Sequence, residues 1–288
     1  MARSFRTAAT AVITGALLLV GGQTAGVAQA APSSGFNDWS CQPSAEHPEP
    51  VVLLHGLGGN GEGHMSYLGP YLAGAGYCAY TFTYGEHPQF SFIGGVQSVT
   101  ESSQEIAAFI DEVRAASGAL KVSLVGHSEG GFMSLYVPKV LGYAEHVRRV
   151  VALAPPTHGT TFGGLVTIGD LLAGREAWAE MSKAIGCVAC TELVVDGPGI
   201  EQLTDGPIAQ ERVDYTIIAT KYDLLVTPTE TSFVDEPGVD NSYVQDTCPA
   251  DPVGHIGMAF DSGIAEMITN ALDPANAKPV TCGFGPPF

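Results

Sequence analysis

Short, continuously apolar runs recur along this chain, and stretches with a helical period of polar and apolar positions lie between them. Val51–Leu54, Val122–Val125, Val147–Leu153 and Asp214–Thr220 read as strands buried on both faces, because each is a brief apolar run ended by turn residues. Cys78–Tyr84 alternates and is rich in threonine and aromatics, so it reads as a further strand. Ser242–Gln245 is a weaker strand candidate. Helical spacing places helices over Met65–Ala73, residues 101–116, Phe132–Leu141 and Gly257–Leu272. In the second of these, Ile106, Phe109, Ile110 and Val113 share a face, with Glu101, Glu105, Asp111 and Arg114 off it. Gly118 stops that helix, and Pro138 kinks or frames the next.

Strands alternating with amphipathic helices predict an α/β chain with a mostly parallel central sheet and helices on both faces. Residues 31–50 carry four prolines and little periodicity, and read as an irregular arm. Residues 155–205 break the alternation and hold six glycines between Gly159 and Gly186. They read as an insertion over the C-terminal edge of the sheet, within one domain of residues 31–288. There, Phe162, Leu165, Ile168, Leu171 and Leu172 recur at near-helical spacing, which suits a lid or the wall of a pocket as well as plain packing on the sheet.

The first 30 residues lie outside this pattern. Arg3 and Arg6 precede the apolar stretch Ala8–Val20, and Ala28-Gln29-Ala30 is a small-x-small cleavage signal, so residues 1–30 read as a secretory signal peptide. The stretch is shorter than the ~20 apolar residues of a membrane span, and stable membrane insertion is not expected. The whole chain has a formal charge of −18. Losing Arg3 and Arg6 makes it more negative, which argues against nucleic acid and anionic membranes as partners. With an export signal, six cysteines read as three disulfides. Cys187-Val-Ala-Cys190 reads as a local staple. Zinc would need a second ligand pair, and the irregular Gly-rich surroundings do not suit a redox motif.

The chemistry concentrates in Gly126-His127-Ser128-Glu129-Gly130. The pentapeptide is a weak signal alone. Between an apolar strand and a helix it is a nucleophile elbow, which lifts a serine hydroxyl above the sheet. A serine needs a base and the base an orienting carboxylate, in the chain order Ser, acid, His. His255, in a loop before the last helix, is the candidate base. His146, beside Arg148 and Arg149, reads as solvated, and His158 follows a strand where it could touch substrate. Asp223, just after a late strand, is the candidate acid, with Asp235, Asp246 and Asp251 as competitors. The backbone N–H groups of Glu129 and Leu57 are the candidate oxyanion donors, and His55 reads as a structural pin for the loop of Leu57. His64, Met65 and His127 are candidates to face the site as well.

Taken together, Val51-Val52-Leu53-Leu54-His55-Gly56-Leu57-Gly58-Gly59-Asn60, the elbow, Ala219-Thr220-Lys221-Tyr222-Asp223 with Val226-Thr227-Pro228, and His255-Ile256-Gly257 resemble secreted class 2 bacterial lipases of the α/β-hydrolase superfamily. The resemblance implies an α/β-hydrolase fold and cofactor-free hydrolysis of neutral ester or lipid substrates through an acyl-enzyme; a secreted monomer without a metal site is expected besides. Polyester hydrolysis and acyl transfer are the alternatives on the same scaffold, and a non-catalytic binding protein is a remoter one. It also suggests disulfides Cys248–Cys282 and Cys41–Cys78, which leave Cys187–Cys190. Many relatives carry Gln or Met where Glu129 stands. A carboxylate there must point away from the oxyanion hole or be paired.

Overall fold

The computed structural model describes residues 35–167 and 174–288. The expected signal peptide, Ile168, Leu171 and Leu172 lie outside them. Six strands form one wholly parallel sheet: β1 Val51–Leu54, β2 Ala79–Thr81, β3 Val122–His127, β4 Val147–Leu153, β5 Asp214–Ala219 and β6 Val239–Tyr243. Their order is β2-β1-β3-β4-β5-β6, with Leu54 beside Gly126 and His127 beside Leu153.

Successive side chains of a strand face opposite ways, so each apolar run supplies two cores. Val52, Leu54, Leu124 and Val150 pack with Ile106, Ile110, Val113, Phe132 and Tyr136 of helices α2 (Val99–Ser117) and α3 (Glu129–Val140). Val51, Leu53, Val125 and Val151 pack with Leu68, Leu72, Ile264 and Ile268 of helices α1 (Leu68–Gly74) and α6 (Ser262–Leu272). Ser98 caps α2 at its start, and Gly118 ends it in the left-handed conformation at φ 69°.

Several element bounds differ from the sequence reading. Strand β2 spans only three residues, because its partner β1 ends at Leu54 and the last register pair is Leu53 with Thr81. Strand β6 starts three residues before the expected Ser242–Gln245, overlaps it only at Ser242 and Tyr243, and is half-exposed, so as an edge strand it carries no apolar run to betray it. The last helix begins at Ser262, where Asp261 accepts from the Ile264 N–H as N-cap, and a separate 3₁₀ turn covers Ile256–Phe260. A one-turn helix at Gly61–His64, capped by Asn60, separates the β1 loop from α1.

Among the described residues of the insertion are α4 (Arg175–Ala184) and α5 (Pro198–Thr204). Ala189, Leu193, Ile200 and Leu203 belong to the same core as α2 and α3. Disulfides join Cys41 to Cys78, Cys187 to Cys190 and Cys248 to Cys282. The first and third close loops of 37 and 34 residues. By chain entropy each removes roughly 4 kcal/mol of freedom from the unfolded state.

Candidate active site

The strand order reverses between β1 and β3, and ligands of open α/β sheets bind outside the C-terminal strand ends at such a point. The loops that follow β1, β3 and β5 meet there. Ser128 lies between β3 and α3 at φ 57°, ψ −122°, a strained backbone for a serine. The glycines around it are required by space. A Cβ on Gly126 would come within 2.0 Å of the Gly130 carbonyl oxygen, and one on Gly130 within 2.2 Å of the Leu54 oxygen. The Ser128 N–H donates to Leu153 at 2.8 Å, which locks the elbow to β4.

Ser128 and His255 line one cavity of 140 Å³, together with Leu57 and Glu129. Behind it, His255 Nδ1 meets Asp223 Oδ2 at 2.7 Å, with both side chains almost wholly buried. The other oxygen of Asp223 accepts from the N–H groups of Leu225 and Val226, each at 2.8 Å, so the carboxylate is fixed before it orients the ring. A carboxylate only accepts, so the shared proton lies on Nδ1 and leaves the Nε2 lone pair free to take a proton. Glu129 is the first residue of α3, and its N–H has no acceptor within the helix.

Beneath the β1 loop, His55 Nδ1 donates to the Gly56 carbonyl at 3.0 Å, and its Nε2 accepts from the Tyr84 N–H at 3.3 Å. The Tyr84 hydroxyl donates to the His55 carbonyl at 2.6 Å, and the two rings stack at 4.2 Å. His55 therefore pins the loop. Burial pushes its pKa down to about 4, so it stays neutral. Burial also pushes the Glu129 carboxyl well above the ordinary range, and the neighbouring Glu192 adds to it.

Residues 49–180 match a family model described as the alpha/beta hydrolase fold. The chain has the α/β-hydrolase fold. Among curated proteins it is similar to a triacylglycerol lipase of Pseudarthrobacter phenanthrenivorans, at 31% identity over 120 residues, 41% of this chain and 36% of that one. It is equally similar to a triacylglycerol lipase of Burkholderia plantarii, at 31% over 120 residues, 41% and 32% of the two chains. The match thus spans about a third of the length of those relatives. Aspergillus fumigatus lipase B superposes with a TM-score of 0.59 at 20% identity, over 86% of this chain and 57% of that one. The mature form of a Bacillus licheniformis lipase gives 0.54 at 18%, over 72% and 88%.

On this α/β-hydrolase scaffold, His64, His127 and Phe162 also line the cavity. Met65, Leu165 and His158 do not, contrary to the sequence expectation. Met65 is fully buried in the core beneath the sheet, because the one-turn helix at Gly61–His64 turns His64 toward the cavity and the next side chain away from it. Leu165 is exposed. His158 Nε2 donates to the Phe233 carbonyl at 3.0 Å, away from the cavity. Sequence reasoning missed Leu193, Leu225 and Ile256, which supply apolar wall. The run Leu224-Leu225-Val226 directly after Asp223 was the available signal, since a plain turn has little use for three apolar residues. Among the described residues no group of three or more His, Cys, Asp and Glu is placed to hold a metal ion, and no helix is long and apolar enough to cross a membrane.

Proposed function

We propose that this chain is a lipase-type serine esterase that hydrolyses neutral carboxylic esters, lipid esters included, through an acyl-enzyme on Ser128. The observation that carries the reading is the buried 2.7 Å Asp223–His255 pair behind a cavity that also holds a strained, elbow-borne serine. His255 Nε2 takes the hydroxyl proton as Ser128 Oγ bonds to the ester carbonyl carbon. The developing oxyanion is met by the N–H groups of Leu57 and Glu129. The carbon–oxygen bond to the alcohol then breaks, and His255 returns the proton to the departing alkoxide. Water, deprotonated by the same ring, attacks the acyl-serine, and the acid leaves with Ser128 restored.

Similarity to triacylglycerol lipases supports a lipid ester as substrate. Three disulfides among the described residues suit an oxidising compartment, so residues 1–30 act as an export signal. The segment 155–205 serves as a cap over the cavity within one domain, and the protein works as a monomer. The test is reaction with a fluorophosphonate ester alongside p-nitrophenyl ester turnover. Both should be present in the protein and absent from Ser128→Ala at unchanged melting temperature. Turnover surviving in Ser128→Ala would remove the serine from its role. Negligible hydrolysis beside efficient transfer to an added alcohol would make the protein an acyltransferase instead.

A further inference from the structure

Resting on the serine-hydrolase reading above, we infer that His64 and His127 form a neutral hydrogen-bond relay that holds the oxyanion loop, the nucleophile elbow and the base loop in register, which makes both histidines positioning residues. His64 Nδ1 faces the Gly56 N–H at 3.4 Å, His64 Nε2 meets His127 Nδ1 at 2.8 Å, and His127 Nε2 meets the His255 carbonyl oxygen at 2.8 Å. Each anchor adjoins or is a residue of the chemistry. Gly56 precedes Leu57, His127 precedes Ser128, and His255 is the base.

The two ends fix every proton between them. A backbone N–H can only donate, so His64 Nδ1 accepts and the ring carries its proton on Nε2. A carbonyl can only accept, so His127 carries its proton on Nε2 and presents Nδ1 as an acceptor. Both ends therefore dictate the same tautomers, and three bonds use three protons with none spare. Adding a proton to either ring sets two donors against each other. His64 would turn Nδ1–H toward the Gly56 N–H, and His127 would turn Nδ1–H toward the His64 Nε2–H.

Burial favours the neutral state. It pushes His64 down to about 4, and His127, which is fully enclosed, well below the ordinary value. The nearness of His255 lowers both further. This matters for the chemistry, because the His127 and His255 rings lie only 4.8 Å apart. Both ring nitrogens of His127 are already engaged, so it offers no free lone pair to the proton that His255 takes from Ser128. The relay anchors the main chain of His255 while Asp223 anchors its ring.

Long-range ¹H–¹⁵N spectra of the histidine rings in the full protein read the relay without any substrate. His64 and His127 should both appear as neutral Nε2–H tautomers from about pH 5.5 to 8. An Nδ1–H tautomer or a protonated ring at either position would overturn the inference. Kinetics read its consequence. His64→Leu and His127→Leu should each lower kcat roughly 10–100-fold with little change in KM, the scale of a small misplacement of reacting groups. The double variant should lose no more than the worse single one, because both break one unit. His64→Gln and His127→Gln, which keep a donor near the Nε2 position, should recover most of the loss. Unchanged kcat, or losses that simply add, would count against it. A protein that turns over no ester defeats the serine-hydrolase reading, and the tautomer spectra still decide whether the relay exists.

Discussion

The carboxyl of Glu129 is turned from Ser128, its chain neighbour, onto Gly95, where an added Cβ would lie within 2.0 Å of Oε2. Neither of its oxygens has a hydrogen-bond partner among the described residues. Enclosure pushes its pKa well above the ordinary carboxylate range, with burial the larger cause and the nearby Glu192 the smaller. Of the two arrangements expected for an acidic side chain beside the oxyanion hole, this is the one in which it points away.

The buried acid has a consequence for stability. Folding raises the Glu129 pKa, so above its unfolded value near 4.5 the folded chain keeps a proton that the unfolded chain releases. Stability from this group is therefore full below that value and is lost as pH rises, at about 1.4 kcal/mol per pH unit, until the folded pKa is passed. Glu129→Gln removes the titration. Urea unfolding of protein and variant at pH 5, 7 and 9 should show the gap widening in favour of the variant as pH rises. Parallel pH profiles would mean that Glu129 is already ionised in the fold.

The Asp223–His255 pair makes a sharper prediction for rate. In Asp223→Asn the amide oxygen keeps the N–H groups of Leu225 and Val226, now made to Oδ1 at 2.8 Å, and turns its NH₂ toward Nδ1. Nδ1 must then accept, so the ring proton moves to Nε2, where a lone pair is needed. We expect kcat to fall on the order of 10³–10⁴-fold with KM and melting temperature nearly unchanged. A variant that keeps a tenth of the rate would pass the orienting role to another acid, with Asp246 and Asp251 the next to test.

The parts of this site that were legible in the sequence are those written in local order. Val122–Gly131 announces a strand, a turn and a helix around Ser128, and Asp223 and His255 each follow a strand or precede a helix in the expected order. Buried strands read well because both faces are apolar. Strand β6 read poorly because its exposed edge has no such run. His64 and Met65 differ by one residue, and only the helical turn at Gly61–His64 decides which of them faces the cavity. His64 and His127 could be named from the sequence as neighbours of the site, but not the relay, since two of its three bonds join residues 63 and 128 positions apart.

The buried histidines set an acid limit opposite in sign to that of Glu129. His55 and His64 drop from 6.5 to about 4 on folding, and His127 drops as well. Below 6.5 the unfolded chain takes up protons that the folded chain refuses. Stability from these groups is full above 6.5 and is lost as pH falls toward 4, at about 1.4 kcal/mol per pH unit for each ring. Calorimetry at pH 5 in buffers of different ionisation heat should record proton uptake on unfolding. His55→Gln should lower that uptake by close to one proton, and an undiminished uptake would show that His55 is protonated in the folded chain.

On the proposed esterase reading, the cavity predicts a size for the acyl group. Its volume is 140 Å³, with Leu193, Phe162, Leu225 and Ile256 among its apolar walls. An engineered cavity of about 150 Å³ in another protein holds benzene, so this one accommodates roughly six carbons. Among p-nitrophenyl esters, kcat/KM should peak at butyrate to hexanoate and decline toward laurate. Phe162 is half-buried and stands in the left-handed region at φ 47°, so truncating it opens the wall at small cost to the core. Phe162→Ala should shift the optimum to longer chains, whereas Leu193→Ala would do so at roughly 2–5 kcal/mol of stability, because Leu193 is buried in the main core. A protein that prefers laurate from the start, with Phe162→Ala unchanged in its preference, would place the acyl chain outside this cavity.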